Sequence, residues 1–430
     1  MAINNNKRTF IKALLSMPLI GGGLYFGLKF SRPKIVVVGG GCAGLEFIES
    51  IIDKIDVDIT LIEEKPAYHS CFMSNAALVE MKEHPKIKFD YQTFIKRAGI
   101  RFIQDKALSI DSNTKRIICA SGEYVEYDYL ITAPGIGFIY DNVEGVSENN
   151  TLSYPHGWKG EQSFLALKDK LQQLPDGQPF IIIAPDKIYK CPPGPYERAG
   201  LVADYLRHHK PNSYVLILDS KSSFTKQDAF VEGWKKHYQF GTQNSLIKYL
   251  SKEAGGQVTR IKGNKVFAKA GTFESECINF IPRQRAGDFA LNNGLTNASG
   301  WCPINFDTMA STLLPNTYVL GDAAIAGDMP KSAFSAANQA RICANAVVAE
   351  ITKTTLKPSV YHNVCYSLIA PNYGISISAA YKRDYDDPWI RLIPEQTGIT
   401  PLQSEPWIYR AESRQALDTF NRIIASKFNK

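Results

Sequence analysis

The sequence lacks the cysteine spacings that hold zinc or attach haem. Its eight cysteines, at positions 42, 71, 119, 191, 277, 302, 343 and 365, include no C-x-x-C pair and no C-x-x-C-H motif. Cysteine pairs at such spacings are typical of structural zinc knots and of covalent haem c. We therefore predict no metal site on this chain, and any haem would have to belong to a partner protein.

The chain also lacks the charge pattern of a nucleic-acid-binding protein. No run of Lys and Arg with interleaved aromatic residues is present, and the 430 residues carry a net charge of only +7. Five of the positive charges lie in residues 1–32, which contain no acidic residue. The remainder of the chain is close to neutral, so the charge balance gives no support to nucleic-acid binding.

Long hydrophobic runs are missing near the N-terminus. The uncharged stretch Ala13 to Leu28 has sixteen residues, which is short for a membrane span and suits the apolar part of an export signal. With Lys7 and Arg8 before it, the segment resembles a twin-arginine leader that has lysine in place of its first arginine. We predict that residues 1–33 are an export signal and that the protein is periplasmic, in an oxidising compartment. An uncleaved N-terminal membrane anchor stays open, because no clear Ala-x-Ala site follows.

Glycine is scarce where a second nucleotide-binding loop is expected. The apolar run Phe180 to Ala184 predicts a strand, and Tyr214 to Asp219 predicts a later strand that ends in an acid. Between them, Lys190 to Arg198 reads KCPPGPYER, with prolines where dinucleotide-binding loops have glycines. Proline removes backbone N–H donors, so this loop would hold a pyrophosphate poorly. We predict that no pyridine nucleotide binds and that electrons enter through Cys191.

A complete dinucleotide-binding loop is present earlier in the chain. Gly39, Gly41 and Gly44 occupy the three glycine positions of the G-x-G-x-x-G fingerprint, between a predicted strand at 35–38 and a predicted helix at about 44–55. Glu63 follows the next predicted strand, where a carboxylate can accept hydrogen bonds from ribose hydroxyls. This placement between strand and helix, with the acid in position, predicts nucleotide binding.

Two later turns indicate that the nucleotide is FAD. The predicted strand at 129–132 runs into the sharp turn Ala133-Pro134-Gly135, and the predicted strand at 317–320 ends in Gly321-Asp322. Flavoproteins of this type direct a late Gly-Asp pair towards the ribityl and pyrophosphate groups. We therefore predict that Ala133, Gly135, Gly321 and Asp322 belong to the FAD site.

The order of the predicted elements indicates an α/β fold with two Rossmann-like nucleotide-binding domains. We assign residues 34–155 and 282–360 to a discontinuous FAD-binding domain. Residues 156–281 form a central second nucleotide-type domain without an NAD site. Residues 361–430, rich in Tyr, Pro and Trp, are predicted to form a C-terminal interface domain.

Five segments together resemble the flavoprotein subunit of flavocytochrome c sulfide dehydrogenase. They are YHSCFMSN at 68–75, CPPGPYER at 191–198, GWCP at 300–303, MPKS at 329–332 and CYSLIAP at 365–371. They extend over nearly the whole chain after residue 33. The resemblance implies a glutathione-reductase-like arrangement of the domains.

The resemblance also implies site residues. Cys71 would be bonded covalently to the ring methyl of FAD, and Cys191 and Cys365 would form a redox-active disulfide beside the flavin. Glu197 would be the acid/base near that disulfide, and Trp407 would pack in the same pocket. Lys331, in the MPKS segment, is assigned to the cofactor site.

Interpretations without a catalytic role for these cysteines stay open. The disulfide could be purely structural, and FAD could be bound noncovalently with a buried thiol at Cys71, since His69 and Ser70 stand where the family usually has Tyr and Thr. The other cysteines are interpreted as small buried hydrophobes, except Cys302, whose role stays undecided. These buried hydrophobes are Cys42, Cys119, Cys277 and Cys343.

The implied function is oxidation of sulfide to elemental sulfur or polysulfide, with electrons passed through FAD to a c-type cytochrome. Sulfide:quinone oxidoreductase is a second possibility, although the segment 411–430 reads as a polar helix rather than a membrane-binding one. A non-enzymatic flavin-fold protein is a third. Aromatic residues of the C-terminal segment are predicted to dock the cytochrome or to pack between domains: Tyr361, Tyr366, Tyr373, Tyr381, Trp389 and Trp407.

Overall fold

A computed structural model describes residues 32–82 and 84–429. The predicted export segment, apart from residues 32 and 33, lies outside the described residues. In the described chain, no helix is both long enough and apolar enough to cross a membrane.

Strands in the described residues group into several sheets. In chain order the strands are β1 (Lys34–Val38), β2 (Asp58–Ile62), β3 (Ala67–His69), β4 (Lys88–Asp90), β5 (Arg101–Ile103), β6 (Ala107–Asp111), β7 (Arg116–Cys119), β8 (Tyr124–Glu126), β9 (Tyr129–Thr132), β10 (Ile136–Ile139), β11 (Phe180–Ile183), β12 (Val215–Leu218), β13 (Ile247–Leu250), β14 (Val258–Lys262), β15 (Lys265–Ala268), β16 (Gly271–Glu274), β17 (Ile278–Phe280), β18 (Arg283–Ala286), β19 (Thr317–Val319), β20 (Tyr361–Ala370), β21 (Tyr373–Asp384) and β22 (Trp389–Ile399).

Helices cover the sheets and connect them. In chain order the α-helices are α1 (Cys42–Ile52), α2 (Ser74–Leu78), α3 (Tyr91–Ala98), α4 (Glu161–Gln173), α5 (Gly194–His209), α6 (Gln227–Tyr238), α7 (Asp288–Asn292), α8 (Ala333–Thr352), α9 (Pro406–Phe420) and α10 (Ser426–Phe428). Two 3-10 turns lie at Glu148–Asn150 and Gly321–Ala323, and a π-helical turn at Asn421–Ala425 joins the last two helices.

The first sheet is parallel throughout, in the order β19-β9-β1-β2-β5. Residues 35–38 are all buried, and this explains their unbroken β-branched run, because helices and loops cover both faces. β19 comes much later in the chain and pairs with β9. Parallel strands end at one edge, so the turns that begin at Gly39, Ala133 and Gly321 come together there.

The second sheet is also parallel, in the order β13-β12-β11-β17. Every residue of β11 and β12 is buried. The loop after β11 carries Cys191 and leads into α5, which has Pro195 in its first turn, where a missing N–H costs nothing. These two parallel sheets confirm the predicted α/β class, whereas the domain boundaries stay predictions.

The C-terminal part forms a third, antiparallel sheet, β20-β21-β22, against which α9 packs. β20 carries Cys365 and lies against α5 and α8. Three of the aromatic residues predicted for docking are at most 7% exposed and pack inside the protein: Tyr361, Tyr373 and Tyr381.

The last helical segment differs from the sequence prediction in extent and in character. The polar helix expected at 411–430 begins at Pro406 and passes through the π-helical turn before α10. Most of its inward side chains are apolar, with Phe420 and Phe428 at most 8% exposed, whereas the buried Lys427 forms ion pairs with Glu46 and Glu49. Phe428 stacks on Phe89 with ring centroids 4.7 Å apart and on Tyr68 at 5.8 Å. The segment is therefore amphipathic, and its apolar side contacts the FAD-binding domain.

Candidate active site

One cavity collects most of the predicted site residues. It lies at the carboxyl edge of the first sheet and is also lined by the loop before α5 and by β20. The predicted residues that line it are Gly41, Cys71, Ala133, Gly135, Cys191, Glu197, Gly321, Asp322 and Cys365. Segments far apart in sequence thus meet around one space.

The fingerprint glycines are required by close backbone packing. At Gly39, with φ of +103°, an added Cβ would lie 2.5 Å from the carbonyl oxygen of Ala133. At Gly44 it would lie 2.1 Å from the carbonyl oxygen of Gly39. Gly41 has no heavy atom within 4 Å of that position and lines the cavity. The loop therefore packs closely against neighbouring backbone at Gly39 and Gly44 and is open towards the cavity at Gly41, as dinucleotide binding requires.

Glu63 stabilises the same loop. Its Oε2 accepts a hydrogen bond of 2.8 Å from the backbone N–H of Gly40, and its Oε1 accepts one from the N–H of Lys65. The carboxylate is therefore held at the end of β2, beside the fingerprint, where the sequence predicted it. Its role towards a ribose stays a prediction.

Asp322 supplies an unpartnered buried oxygen at the cavity wall. Its Oδ1 is buried and has no hydrogen-bond partner in the described protein. Burial raises the pKa of Asp322, against the opposing charges of Lys190 and Lys331. A buried carboxylate without a donor is costly, and a flavin hydroxyl at this position would satisfy it. The open Gly41 backbone and the Asp322 oxygen therefore fit FAD.

Cys71 faces the cavity at the start of the loop that leads into α2. Its thiol donates to the carbonyl oxygen of Trp158 at 3.1 Å, and the ammonium of Lys190 lies 3.2 Å from its sulfur. Lys190 also donates to the same Trp158 oxygen at 2.9 Å. Burial opposes the charged form of Lys190, but the negative charges of Cys71 and Asp322 raise its pKa overall. The sulfur thus has a fixed cationic neighbour.

Cys191 and Cys365 reach the cavity from different elements, the loop before α5 and strand β20. All eight cysteines lie in the described residues, and all are free thiols in this structure. Cys191 has a left-handed backbone, with φ of +55°, and its N–H donates to the carbonyl of Lys331 at 2.7 Å. Burial raises the pKa of both thiols; negative charge on Cys365 and on Glu197 raises the pKa of Cys191 further, and negative charge on Glu197 raises that of Cys365. The two sulfurs therefore share one buried, electrostatically coupled site.

Glu197 projects from the first turn of α5 into this site. Its Oε1 accepts from the N–H of Leu368 at 2.8 Å, and its Oε2 accepts from the side-chain amide of Asn75 at 2.6 Å. Burial raises the pKa of Glu197, and these two donors partly oppose that rise. A buried carboxyl with a raised pKa is suited to general acid/base work near neutral pH.

A buried arginine fixes the position of Asn75. The Nε of Arg198 donates to the Asn75 side-chain oxygen at 3.0 Å, and its other nitrogens donate to His156, Gly157 and Asn279. Asn75 therefore has one orientation, with its amide towards Glu197. The two family segments at 68–75 and 191–198 are joined by this hydrogen-bonded chain.

Two predicted residues have different positions from those expected. Trp407 is 62% exposed and does not line the cavity, because it lies on the outer side of the first turn of α9. The backbone carbonyl of Lys331 accepts from the N–H of Cys191. The Lys331 ammonium donates to the carbonyl oxygens of Asp322 and Ala324 and lies 3.7 Å from the centre of the Trp301 ring, beside a second cavity of about 440 Å³. Burial lowers the pKa of Lys331 to about 8. The packing predicted for Trp407 is wrong, and the cofactor contact of Lys331 stays a prediction.

In the second parallel sheet, the acidic residue that follows β12 is hydrogen-bonded to other residues of the protein. Asp219, at the end of β12, is fully buried and accepts hydrogen bonds from the hydroxyl of Tyr196 and from Lys221. In nucleotide-binding units the acid at this place faces the ribose. The loop before α5 is packed against Trp158, so that a Cβ at Gly194 would lie 2.5 Å from that ring. Asp219 and this segment are thus engaged by contacts within the protein, and the absence of a pyridine-nucleotide site stays a prediction.

The remaining cysteines separate into two groups. Cys119, Cys277, Cys302 and Cys343 are at most 1% exposed and none lines the flavin cavity. Cys302, undecided from sequence, is thus a buried thiol, and burial raises its pKa to about 12. Cys42 differs from its prediction as a buried hydrophobe: it is half-buried, and it lines the flavin cavity. Within the described chain, no cluster of His, Cys, Asp or Glu forms a potential metal site.

Sequence reasoning missed two lysines in this region. Lys190 was noted only as part of its segment, and Lys226 gave no sequence signal because it lies in a loop without any recognisable motif. Lys226 is 5% exposed and donates to the carbonyl of Cys365 and to the hydroxyl of Ser367. Only the tertiary structure brings it beside the cysteine pair.

Curated relatives align with most of this chain, and a solved structure shares its fold. The mitochondrial sulfide:quinone oxidoreductase of Schizosaccharomyces pombe is 21% identical over 425 residues, covering 91% of this chain and 84% of that protein. The one of Dictyostelium discoideum is 24% identical over 323 residues, covering 71% and 67%. The X-ray structure of the sulfide:quinone oxidoreductase from Aquifex aeolicus matches with a TM-score of 0.70 at 18% identity and covers 91% of both chains. At this identity the structural match shows the shared fold.

Family models match three consecutive parts of the chain. Residues 33–167 match the pyridine nucleotide-disulphide oxidoreductase model. Residues 164–282 match the central domain of the sulfide dehydrogenase (flavocytochrome c) flavoprotein chain, and residues 357–428 match the flavin-binding domain of flavocytochrome c sulphide dehydrogenase. The resemblance inferred from the sequence is thereby confirmed: separate parts of the chain match models of a pyridine nucleotide-disulphide oxidoreductase domain and of the central and flavin-binding domains of the flavocytochrome c sulfide dehydrogenase flavoprotein.

Proposed function

We propose that this protein oxidises sulfide to elemental sulfur or polysulfide through a Cys191–Cys365 disulfide and FAD, and passes the electrons to a c-type cytochrome. The observation that carries this proposal is the meeting of both cysteines and Glu197 in the cavity that contains the fingerprint loop. The matched domain models and the sulfide:quinone oxidoreductases among the relatives support sulfide as the substrate.

The protein's own residues account for the sulfide half of the reaction. Hydrosulfide is a nucleophile and a disulfide is its electrophile, so attack forms a persulfide on one cysteine and releases the other as a thiolate. Glu197, held by Leu368 and Asn75, is placed to accept the proton of the bound hydrosulfide. When bound, the flavin would accept two electrons from the sulfide half of the reaction and release them one at a time to one-electron acceptors.

FAD would be held by the fingerprint loop, the turn at Ala133 to Gly135 and Gly321-Asp322, with a covalent bond to Cys71. The thiol of Cys71 faces the cavity and has Lys190 within hydrogen-bonding distance. This arrangement supports the covalent attachment.

The c-type cytochrome is the acceptor that we propose, with the protein exported to the periplasm by its N-terminal segment. In support, the buried apolar side chains at the end of α9, in the π-helical turn and in α10 pack inside the chain, with Phe420 on Phe72 and Phe428 on Phe89. These side chains are consequently not available on the surface for contact with a bilayer. An exposed aromatic residue, Trp407, lies at the start of the same segment.

Quinone is the second candidate acceptor, because both named curated relatives are sulfide:quinone oxidoreductases that align with more than two thirds of this chain.

Anaerobic mixing with sulfide tests the first half of the proposal, the reduction of the flavin by sulfide. Rapid bleaching of the flavin is expected, and its absence would favour a non-enzymatic flavin-fold protein. Steady-state assays with horse cytochrome c and with decylubiquinone test the second half. Faster turnover with the quinone would overturn the cytochrome assignment, and fractionation of the host cell would test the periplasmic location.

A further inference from the structure

Lys226 is a buried ammonium without an ion-pair partner. It is 5% exposed, and its Nζ donates to two neutral oxygens of β20, the Cys365 carbonyl at 3.0 Å and the Ser367 hydroxyl at 2.8 Å. No ion pair involves it within the described residues. Lys221, a similarly buried lysine, is paired with Asp219 at 2.6 Å. Burial of an uncompensated charge is unfavourable, so Lys226 needs an explanation.

The groups that face Lys226 identify what could balance its charge. They are the thiols of Cys365 and Cys191 and the carboxyl groups of Glu197 and Glu412. Glu197 is already hydrogen-bonded to Leu368 and Asn75. Glu412 accepts from two hydroxyls through its Oε1, whereas its buried Oε2 has no partner in the described residues, and its charge is the smallest of these influences on Lys226. Burial lowers the pKa of Lys226, and negative charge on Cys365 is the strongest opposing influence. The reciprocal relationship holds for Cys365, where Lys226 is the main influence against burial.

We propose that Lys226 is the counter-charge for a thiolate on Cys365 that forms when hydrosulfide opens the Cys191–Cys365 disulfide. This inference rests on the proposed function and deepens it. Hydrosulfide forms a bond to the sulfur of Cys191, the Cys191–Cys365 bond breaks, and its electron pair leaves on Cys365. The proton remains on the new persulfide until Glu197 accepts it. No external oxidant takes part in this step.

The anchoring of Lys226 assigns the thiolate to Cys365 rather than to Cys191. The ammonium is bonded to the strand that carries Cys365, through that residue's own carbonyl. Burial raises the pKa of Cys191 well above its ordinary value, and the charge of Lys190, followed by that of Lys226, opposes this rise. Lys190 is already bonded to Cys71 and Trp158. In thiol–disulfide exchange the thiol of lower pKa leaves faster. Lys226 therefore acts as a positioning residue that directs hydrosulfide to Cys191.

A titration of Cys365 tests the charge assignment without sulfide. In the reduced, flavin-loaded protein, the rate of Cys365 modification by methyl methanethiosulfonate is measured against pH by peptide mass spectrometry. Lys226→Met should slow modification at neutral pH by about tenfold for each unit by which the pKa rises and should move the profile to higher pH. Lys235→Met, which removes an exposed charge from the adjacent helix α6, should leave the profile unchanged.

A second variant covers the case in which Lys226→Met does not fold, as judged by circular dichroism and flavin content. Ser367→Ala keeps the charge and removes one of its two anchors, so it should shift the Cys365 profile in the same direction by a smaller amount. An unchanged Cys365 profile in whichever variant folds would overturn the proposal.

Trapping of the persulfide tests the direction of attack. After a single turnover with sulfide and rapid alkylation, the additional sulfur should be found on the Cys191 peptide. Its recovery on the Cys365 peptide instead would overturn the assignment. If sulfide fails to reduce the flavin of the wild-type protein, the proposed function fails, whereas the thiol titration still reports on Lys226.

Discussion

The ammonium of Lys190 lies 3.2 Å from the sulfur of Cys71, and both groups share the carbonyl oxygen of Trp158. Three segments that are distant in sequence thus hold one thiol against the flavin cavity. The ammonium and the thiol are thereby held side by side at the cavity wall. The sequence motif around Cys71 does not contain this contact.

Covalent FAD at Cys71 is the first prediction. After acid denaturation of flavin-loaded protein, the yellow colour should remain with the polypeptide, and a flavin-bearing peptide that contains Cys71 should be recovered. Cys71→Ala should release all its flavin in the same treatment. Cys42→Ala is the matched control, because Cys42 also lines the cavity but is not expected to carry the bond. Complete flavin release from the wild-type protein would show that the attachment is noncovalent.

Loss of either cysteine of the pair should abolish sulfide-dependent flavin reduction. Cys191→Ser and Cys365→Ser each remove one half of the disulfide that sulfide attacks, while folding and FAD binding should persist. Stopped-flow absorbance of the flavin measures the effect. In the control variant Cys119→Ala, which changes a buried thiol outside the cavity, sulfide should reduce the flavin at the wild-type rate. Near-normal turnover in either serine variant would contradict the redox role.

NADH and NADPH should not reduce the flavin at a useful rate. The acid that would bind the ribose, Asp219, is engaged by Tyr196 and Lys221, and the loop before α5 has prolines in place of glycines. Stopped-flow mixing with each nucleotide under anaerobic conditions measures the rate, with sulfide as the positive control. Fast bleaching by a nucleotide would place the protein among NAD(P)H-dependent disulfide reductases.

The pH dependence of flavin reduction should report the raised pKa of Glu197. Burial raises this pKa above the ordinary value of 4.5, so the carboxyl takes up its proton as the pH falls through that higher value. If Glu197 accepts the hydrosulfide proton as a base, it must be deprotonated to act. As the pH is lowered, the rate of flavin reduction should therefore begin to fall at a pH above 4.5. Glu197→Gln should lower the rate by about 10²–10⁴-fold and remove this acidic limb. An unchanged limb in Glu197→Gln would assign it to another group.

Phe428 should contribute strongly to stability, because it stacks between Phe89 and Tyr68 and is 8% exposed. Phe428→Ala should lower the free energy of unfolding by about 3–5 kcal/mol, measured by chemical denaturation. It should also loosen the loop that carries Cys71, which follows Tyr68 closely. Trp407→Ala, at a side chain that is 62% exposed, should change the free energy by no more than about 0.5 kcal/mol. Equal effects of the two variants would contradict the packing described here.

The sequence by itself determined the local units. One βαβ unit contains the buried strand β1, the three fingerprint glycines and Glu63. These residues are close together in the sequence, so their spacing was sufficient to predict the strand, the loop and the position of the acid. The prolines around Cys191 likewise identified a loop that differs from a nucleotide-binding one. Rare segments such as CPPGPYER carried the family resemblance, because several of them occur in the same order.

Tertiary structure alone decided which side chains share the site. Cys365 meets Cys191 only because β20 packs against α5, and Lys226 reaches Cys365 from a loop without a motif. Trp407 was misplaced because an amphipathic helix has two faces, and the packing of Phe420 and Phe428 determines which face is buried. Contacts between residues far apart in the chain depend on how domains pack. Composition, spacing and periodicity describe neighbours along the chain, and therefore could not give the buried charge beside the cysteine pair.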